Sequence, residues 1–353
     1  MDAAAPGALA PPSPEAPVIS IALDAMGGDH APDQNIQGAL EYARAGGTAR
    51  ILLVGRRTDL EPRARAAGLR AEVVDAPDAV GMGEHPSAAL RRRAGTSIGV
   101  ATELVKEGKA DAVVSAGNTG AAMASGVLTL GRIAGIDRPA LCQMIPTQSH
   151  APLCLLDIGA TVDTDARNLL QFAIMGTSFM EKVHGIANPS VGLLNIGAEA
   201  GKGSRVLQEA AQLLERSGLN FRGNVEGIDI PRGTVNVVVC DGLVGNTVIK
   251  ALEGTVDYLR VAIRDEIFGG PLGKVAGLLA LGGIRRFRAN FDYEVYGGAP
   301  LLGVDGVSIV THGRARPRMV RYAIEVAERA ARNGLVRSIR AGLEARTDDL
   351  AIR

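Results

Sequence analysis

The stretch VNVVVCDGLVGN at residues 235–246 joins a run of β-branched residues to a glycine-rich turn. A short, continuous apolar run of this kind is typical of a strand that is buried on both faces, as in a parallel sheet. The glycines that follow let the chain turn sharply, and Asn246 then enters an expected helix that runs to about residue 259. The stretch therefore predicts a strand, a turn and a helix of an α/β fold.

The same unit recurs along the chain. After a first strand at residues 18–23, the strand candidates are RILLVG, DAVVSAG, PLCLLDIG and VGLLNIG, at residues 50–55, 111–117, 152–159 and 191–197. Between these strands, residues 97–109 and 168–184 carry apolar side chains at helical spacing. Strands that alternate with helices in this way predict a mostly parallel sheet wound by helices.

Five polar loops follow these strands, with the sequences DAMGGDH, SAGNTGA, LDIGATVD, LNIGAEAGKGS and CDGLVGN. In open parallel sheets, ligands bind outside the carboxyl ends of the strands. We therefore expect the five loops to line one shared edge of the sheet and to form a binding site there. None of them has the GxGxxG or GxxxxGKS/T spacing of the common nucleotide-binding loops.

The first loop, DAMGGDH, has two interpretations. Gly27 and Gly28 are able to take positive φ angles, which let main-chain N–H groups approach a ligand closely. Alternatively, the loop is a tight turn in which Asp24 and Asp29 accept hydrogen bonds from the local backbone. The sequence leaves both interpretations open.

Helix starts in two of the loops suit an anion. In SAGNTGA, Asn118 or Thr119 is expected to cap a helix that runs to about residue 133, whose first N–H groups are free to bind an anion. CDGLVGN repeats the arrangement at Asn246. The alternative is that both are only good helix caps with small residues for close packing. Two such starts together favour a substrate that carries a phosphate.

Lys202 lies between two glycines in the loop GAEAGKGSR. Its side chain is free to reach into a cleft, although most lysines are solvated surface residues. His30 and His312 stand beside glycine-rich turns and are candidate acid–base groups. Cys240 is an unfavourable nucleophile, because it lies in an apolar strand without a histidine partner in the sequence.

The composition excludes several classes of protein. Lys plus Arg and Asp plus Glu number 38 each, and tryptophan is absent, so neither net charge nor aromatic side chains favour nucleic acid. The three cysteines lack metal-ligand spacing, and we expect neither a metal nor a cofactor. Residues 1–17 are rich in Ala and Pro and are expected to form a disordered leader. No uninterrupted apolar run is long enough to span a membrane.

Residues 269–288 combine leucines and glycines with a basic cluster of three arginines at their end. The apolar residues of this segment include Leu278, Leu279, Leu281 and Ile284. Such a mixture is typical of an element that lies on a membrane surface. A helical hairpin that buries its leucines in a homodimer is the alternative.

Several motifs follow one another in the order DAMGGD, SAGNTGA, GRIAGIDRPAL, LLDIGATVD, QFAIMG, VGLLNIGAEAGKG, GNVEGIDI, VVVCDGLVGNTVIKALEG and YGGAPLLGV, with THG after them. Over about residues 18–335, the chain resembles the bacterial phosphate acyltransferase family, PlsX. The resemblance implies a three-layer α/β/α fold with a mostly parallel, Rossmann-like sheet, related to the phosphotransacetylases. It also implies one domain at residues 18–340, a helical hairpin that projects at about 258–290, and a C-terminal tail at 341–353.

The family's activity is the transfer of a long-chain acyl group from acyl-acyl carrier protein to inorganic phosphate, without a cofactor or metal. The resemblance implies a homodimer in the cytoplasm that binds the inner face of the cell membrane through the hairpin, with Leu278, Leu279, Leu281 and Ile284 in contact with lipid. The acyl phosphate then passes to a membrane-embedded glycerol-3-phosphate acyltransferase for the first acylation of phospholipid synthesis. Nucleic acid is not among the expected partners.

The motif matches imply that Lys202 and Asn246 are catalytic. One of them is expected to hold the phosphate or offset charge on the tetrahedral intermediate, while the other donates to the thioester oxygen; their roles are interchangeable at this stage. The implied substrate-binding residues are Asp24, Gly27, Gly28, Asp29, Ser115, Asn118, Thr119, Gly120, Asp157, Asp241, Gly242, Gly245, Gly297, Gly298 and His312.

Two other functions agree with parts of the sequence. A phosphate acetyltransferase that uses an acyl-CoA would share the fold and the chemistry, but it has little use for an apolar and basic hairpin. A non-enzymatic scaffold that binds an anion or a nucleotide would use the glycine-rich loops alone. The missing nucleotide fingerprints disfavour that alternative.

Overall fold

The computed structural model describes residues 17–84, 93–284 and 293–346. Three parts of the predictions lie outside these ranges, namely residues 1–16 of the leader, the basic cluster at the end of the hairpin, and residues 347–353 of the tail.

Within the described residues, eleven strands form one sheet. They are β1 (Ser20–Asp24), β2 (Arg50–Gly55), β3 (Glu72–Asp75), β4 (Ala112–Ser115), β5 (Ala140–Ile145), β6 (Leu153–Leu156), β7 (Val191–Leu194), β8 (Phe221–Val225), β9 (Val237–Val239), β10 (Ala299–Leu302) and β11 (Val307–Val310). The order across the sheet is β3-β2-β1-β4-β11-β10-β5-β6-β9-β7-β8.

Helices join the strands of this sheet. They are α1 (Asp33–Arg44), α2 (Arg57–Ala67), α3 (Ser97–Lys106), α4 (Thr119–Ser125), α5 (Ala166–His184), α6 (Arg205–Arg216), α7 (Asp229–Arg232), α8 (Gly242–Ala262), α9 (Pro271–Leu279), α10 (Pro317–Arg332) and α11 (Leu335–Glu344). The predicted class, a three-layer α/β fold with a mostly parallel sheet, is confirmed.

The strands run in two directions. In the first half of the sheet, β3, β2, β1, β4 and β11 are parallel to one another, and in the second half β6, β9, β7 and β8 are parallel. Three antiparallel pairings, β11 with β10, β10 with β5, and β5 with β6, connect the two halves. Three reversals leave the halves pointing in opposite directions, so the carboxyl ends of their strands lie at opposite edges.

The prediction that the five polar loops line one shared edge is therefore wrong. The loops after β1 and β4 lie at one edge, and those after β6, β7 and β9 lie at the other. An apolar run reveals that a strand is buried but not which way it points. The strands β5 and β10, which reverse the direction, were not among the predicted strands.

Two helix boundaries also differ from expectation. Asn118 caps α4 as predicted, but α4 ends at Ser125 and continues as a π-helical turn to Leu130, short of residue 133. The helix that carries Asn246 begins earlier, at Gly242, because the Asp241 side chain accepts a hydrogen bond from the Val244 N–H at 2.9 Å and caps it there.

The buried helix α5 organises the second half. Asp165 and Asn168 form a capping box at its start, and Gly185, with φ of 69°, ends it. The last helix, α11, packs against α5 and buries Leu343. The tail predicted at 341–353 thus begins inside a packed helix, since an apolar stripe continues through α11.

His184, in the last turn of α5, is buried with both ring nitrogens lacking a hydrogen-bond partner among the described residues. Its ring packs edge-on against Phe179, with 5.2 Å between the centroids. Burial, together with the charge of Arg329, lowers the pKa of His184 to about 3. The folded protein therefore holds this imidazole neutral at pH values where the unfolded chain protonates it.

We expect the free energy of unfolding to fall as the pH drops below about 6.5, because His184 then binds a proton in the unfolded state but stays neutral in the folded state. The loss from this group between pH 7.5 and pH 5 is about 2 kcal/mol. Urea unfolding of His184→Leu should show a pH dependence weaker by this amount. His150→Asn, in an exposed turn, is the control and should leave the dependence unchanged. An identical pH dependence in wild type and His184→Leu would contradict the assignment.

Candidate active site

The predicted site residues divide between the two edges of the sheet. One edge, here called the Lys202 edge, carries the loops that follow β6, β7 and β9. It holds Asp157, Lys202, Asp241, Gly242, Gly245 and Asn246. The opposite edge, here called the Asp24 edge, holds Asp24, Gly27, Gly28, Asp29, Ser115, Asn118, Thr119, Gly120, Gly297, Gly298 and His312.

Asp157 shapes the loop that follows β6. Its carboxylate is fully buried and accepts backbone N–H bonds from Leu141 at 2.8 Å, Gly159 at 3.1 Å, Ala160 at 3.0 Å and Thr161 at 2.6 Å. Burial raises the pKa of Asp157, and the four N–H donors partly offset that rise. A carboxylate engaged in this way positions the loop and has no face left for a substrate.

Two glycines let α8 begin directly against this loop. A Cβ on Gly245 would lie 1.8 Å from the Asp157 carbonyl oxygen, and one on Gly242 would lie 2.6 Å from the Thr161 carbonyl oxygen. Larger residues at either position would push the helix away from the loop. The glycines of CDGLVGN are therefore explained by close packing between backbone segments.

Asn246 is brought to the edge by this packing. It is exposed in the second turn of α8, directly over Gly159, whose Cβ would lie 3.8 Å from the Asn246 Cβ. The amide is thus held beside the loop that follows β6.

Lys202 lies in the loop after β7. Its backbone is tied down, because the Asn195 side chain donates to the Lys202 carbonyl at 3.0 Å. The Cγ of Lys202 lies 3.4 Å from the position of a Cβ on Gly197, so this glycine makes room for the side chain. Lys202 is exposed and forms no ion pair with any carboxylate in the described ranges.

The loops of Asn246 and Lys202 follow neighbouring strands. Strand β9 lies between β6 and β7, so the Gly159, Asn246 and Lys202 segments succeed one another along the Lys202 edge. Adjacent strands are about 4.8 Å apart. The structure therefore gathers the two predicted catalytic residues and Asp157 at one edge, whereas the remaining loops lie elsewhere.

At the Asp24 edge, the motif residues bind one another. Ser115 donates to the Asp24 carboxylate at 2.6 Å and accepts from the Gly117 N–H at 3.0 Å. Burial raises the pKa of Asp24, and the hydrogen bond from Ser115 opposes the rise. A Cβ on Gly27 would lie 2.7 Å from the Gly117 nitrogen, so DAMGGD and SAGNTG fit together as one packed unit.

Asn118 is also engaged internally. Its oxygen caps α4 through the Ala121 N–H at 3.0 Å, and its amide nitrogen donates to the carbonyls of Met82 and Glu84, both at 3.0 Å. The amide therefore has a structural use in joining a second loop to α4. Thr119, next to it, is exposed in the first turn of the same helix.

The remaining residues of the Asp24 edge surround the end of β11. His312 accepts from the Arg314 N–H at 3.1 Å through Nδ1 and is otherwise exposed. Gly298, with φ of 118°, turns the chain into β10, where a Cβ would lie 2.7 Å from the Val310 carbonyl oxygen. Asp29 and Arg314 approach to 3.9 Å at the surface.

Cys240 is buried at the end of β9, where its thiol contacts the Asp157 carbonyl oxygen at 3.5 Å. Burial and the nearby aspartates hold the pKa of this thiol far above its usual range. A thiol that stays protonated is a weak nucleophile, so the geometry disfavours a covalent route through Cys240.

Residues 271–284, which lie in the expected hairpin, expose apolar side chains. Leu278, Leu279 and Leu281 are 67%, 85% and 42% exposed, respectively, and Leu272 is 87% exposed. Ile284 is half-buried. In the part of the chain that the structure describes, no helix combines the length and the apolar character needed to cross a membrane.

Sequence reasoning missed a polar cleft of about 580 Å³ at the Lys202 edge. Arg132 and Arg138 lie on one wall, and residues 163–165, which continue the Asp157 loop, lie on the other. The signal was present in the motif GRIAGIDRPAL, which places two arginines just before β5. Only the pairing of β5 with β6 shows that these arginines lie beside the candidate catalytic residues.

The comparisons with known proteins agree with this architecture. A family described as "Fatty acid synthesis protein" matches residues 19–338. A phosphate acyltransferase from Heliobacterium modesticaldum is 48% identical over 325 residues, 91% of this chain and 96% of the relative. One from Desulforamulus reducens is 46% identical over 333 residues, which cover 93% and 98% of the two chains.

A crystal structure of a phosphotransacetylase from Streptococcus pyogenes has the same fold. It superposes with a TM-score of 0.56 at 17% identity and covers 88% of this chain and 94% of its own. The family predicted from the order of the motifs is thereby confirmed, and the chain belongs to the fatty acid synthesis protein family, together with relatives named phosphate acyltransferase.

Proposed function

We propose that the protein transfers a long-chain acyl group from the thioester of acyl-acyl carrier protein to inorganic phosphate, which yields acyl phosphate. The observation that carries this proposal is the placement of the exposed Lys202 ammonium and the Asn246 amide on neighbouring loops of one edge. The identity of 48% to a relative named phosphate acyltransferase supports acyl transfer to phosphate as the reaction.

The chemistry needs positioning and electrostatic help. A phosphate oxygen attacks the thioester carbonyl carbon, a C–O bond forms, the C–S bond breaks, and the departing thiolate takes up a proton. We assign Lys202 to holding the phosphate and Asn246 to donating a hydrogen bond to the carbonyl oxygen as it gains negative charge. The exchanged assignment uses the same two side chains, and the kinetics of the Lys202→Ala variant distinguish the two.

The other residues of the Lys202 edge support this pair. Asp157 holds the loop beneath Asn246, while Asp241, Gly242 and Gly245 set the start of α8. They act as positioning residues, because their side chains and backbone atoms are engaged in contacts within the protein.

The Asp24 edge has a different place in the proposal. Asp24, Ser115 and Asn118 stabilise the first half of the sheet through their mutual contacts and caps. Asp29, Thr119 and His312 are the predicted residues of that edge whose side chains face solvent. We retain them as candidates for contact with the carrier protein rather than with the reacting atoms.

The reaction is tested by measuring release of the carrier-protein thiol from palmitoyl-acyl carrier protein with and without inorganic phosphate, while hydroxylamine traps the acyl phosphate. Phosphate-dependent release with a trapped acyl product is the expected result. Acetyl-CoA serves as the comparison donor, and a preference for it would favour an acetyltransferase. Absence of release from every donor by the folded protein would refute the proposal.

The exposed leucines support attachment to a membrane surface. We propose further that the protein is a homodimer and that its acyl phosphate passes to a membrane-embedded glycerol-3-phosphate acyltransferase. We expect the double substitution Leu272→Glu with Leu279→Glu to lower co-sedimentation with anionic phospholipid vesicles at least 10-fold, since each buried leucine contributes about 1.5–3 kcal/mol. Val18→Glu, at an apolar residue that is 68% exposed outside the segment, is the control. Equal vesicle binding by the double variant and the control would contradict membrane contact at these leucines.

A further inference from the structure

The polar cleft beside the Asp157 loop is not used by the reaction as described so far. It opens at the Lys202 edge, because β5 begins where β6 ends, with Cys142 opposite Leu156. The Thr161 hydroxyl donates to the Pro139 carbonyl at 3.0 Å and joins the two walls at the base. Part of the cleft wall is thus formed by the residues that follow the loop beside Asn246.

Two arginines, Arg132 and Arg138, and three aspartates, Asp137, Asp163 and Asp165, line the cleft. The carboxylate of Asp137 is occupied, because Arg167 lies 2.9 Å and the Gln171 amide 2.9 Å from it. Arg132 donates to the Asp137 backbone carbonyl, which is a neutral acceptor. The nearest acid on this wall therefore does not neutralise the Arg132 guanidinium.

Among the described residues, the acids of the opposite wall form no ion pair with Arg138. Asp165 is committed to capping α5, where it accepts from the Asn168 N–H at 2.8 Å. Asp163 is exposed to solvent. Arg138 is exposed in the cleft, and within the described ranges no carboxylate lies within 4.0 Å of its guanidinium. Arg132 and Arg138 therefore both line this open cleft, and neither forms an ion pair with a carboxylate of the described residues.

We propose that this cleft binds a phosphoryl group, with Arg138 as its main ligand and Arg132 in support. A planar guanidinium matches the oxygens of a phosphoryl group with two parallel hydrogen bonds. This inference rests on the proposed function, in which two phosphoryl groups reach the site. One is on the pantetheine arm that carries the acyl thioester, and the other is the free phosphate.

The position of the cleft favours the arm. A Cβ on Gly159 would lie 3.8 Å from the Asn246 Cβ, and Asp163 on the cleft wall is four residues further along the chain than Gly159. Four residues span at most about 14 Å, so a phosphoryl group held in the cleft leaves its flexible arm within reach of Asn246. Arg138 would then fix the end of the donor while the thioester lies between Asn246 and Lys202.

The test measures binding apart from turnover. Calorimetric titrations with 4′-phosphopantetheine, with pantetheine and with inorganic phosphate compare the wild type with Arg138→Ala and Arg138→Lys. Arg65→Ala, which removes the same charge from an exposed position on α2 in the first half of the sheet, is the control. Arg138 and Arg65 are both exposed, so the three variants lose no buried contact and we expect them to fold.

We expect Arg138→Ala to weaken 4′-phosphopantetheine binding about 10- to 100-fold and to leave pantetheine binding unchanged. Arg138→Lys should recover part of the affinity, because lysine keeps the charge but not the planar fork. Weaker binding of inorganic phosphate, with 4′-phosphopantetheine unaffected, would assign the same phosphoryl site to the free phosphate.

Equal binding of both phosphorylated ligands by wild type and Arg138→Ala would overturn the inference, as would failure of the wild type to bind either. Those outcomes are distinct from failure of the proposed function. Phosphate-dependent thiol release by the wild type establishes the reaction whether or not Arg138 contributes to binding.

Discussion

Replacing Lys202 with alanine is expected to lower phosphate-dependent thiol release about 100- to 1,000-fold, while the protein stays folded. The Lys202 side chain is exposed and its removal leaves no cavity in the core, so the free energy of unfolding should change little. The magnitude follows from removal of one preorganised charge beside the reacting group. Asn246→Ala should lower the rate by a similar factor, because it removes the proposed hydrogen-bond donor to the carbonyl oxygen. The Asn246 side chain is exposed beside Gly159, so this variant should also stay folded.

The way in which the rate falls separates the two assignments of Lys202. If the ammonium holds phosphate, Lys202→Ala raises the KM for phosphate and a high phosphate concentration restores part of the rate. If the ammonium instead offsets charge on the tetrahedral intermediate, kcat falls and added phosphate does not help. Lys106→Ala, at an exposed lysine in the last turn of α3, is the matched control and should keep full activity. Near-wild-type turnover of Lys202→Ala together with an unchanged KM for phosphate would exclude both roles.

Two glycines of α8 are expected to respond in opposite ways to alanine. Gly245→Ala places a Cβ 1.8 Å from the Asp157 carbonyl oxygen, so either the helix or the loop must move. We expect a loss of about 3–5 kcal/mol in the free energy of unfolding, which is large because backbone atoms on both sides resist displacement. Activity should fall as well, since Asn246 is the next residue.

Gly254→Ala, on the same helix, is the matched control. No atom of the described residues lies within 4 Å of a Cβ at Gly254, and the residue is exposed. Alanine there should raise the free energy of unfolding by about 0.8–1 kcal/mol, because it lowers the entropy of the unfolded chain without a clash. Urea unfolding of both variants gives the comparison. Shifts of the same sign would show that the close approach at Gly245 does not hold α8 in place.

Several features were predictable because they depend on neighbouring residues alone. The run RILLVG became β2 with the expected bounds, and the helical pattern at residues 168–184 became α5 with a start two residues earlier. Buried strands and long amphipathic helices can be recognised from their composition and from the period of their apolar residues. Asn118 was recognised as a cap for the same reason, since a cap is formed within one turn.

The roles of individual site residues could not be predicted from the sequence. Asp24 and Asp157 appeared as equivalent acids after strands, yet one pairs with Ser115 of a neighbouring strand and the other accepts four backbone N–H groups. Arg138 drew no attention, because a single arginine before a strand resembles any surface residue. These roles depend on partners distant in sequence, which local patterns do not contain.

By itself, the sequence determined the α/β class and the family, and it located the strands β1, β2, β4, β6, β7 and β9. Each of these rests on local periodicity or on motifs in a fixed order. Only the tertiary structure decided which loops meet. Direction in a sheet depends on pairing, and the antiparallel strands β5 and β10 turn the second half of the sheet against the first. That reversal places Lys202, Asn246 and the arginine cleft together and sends Asp24 to the opposite edge.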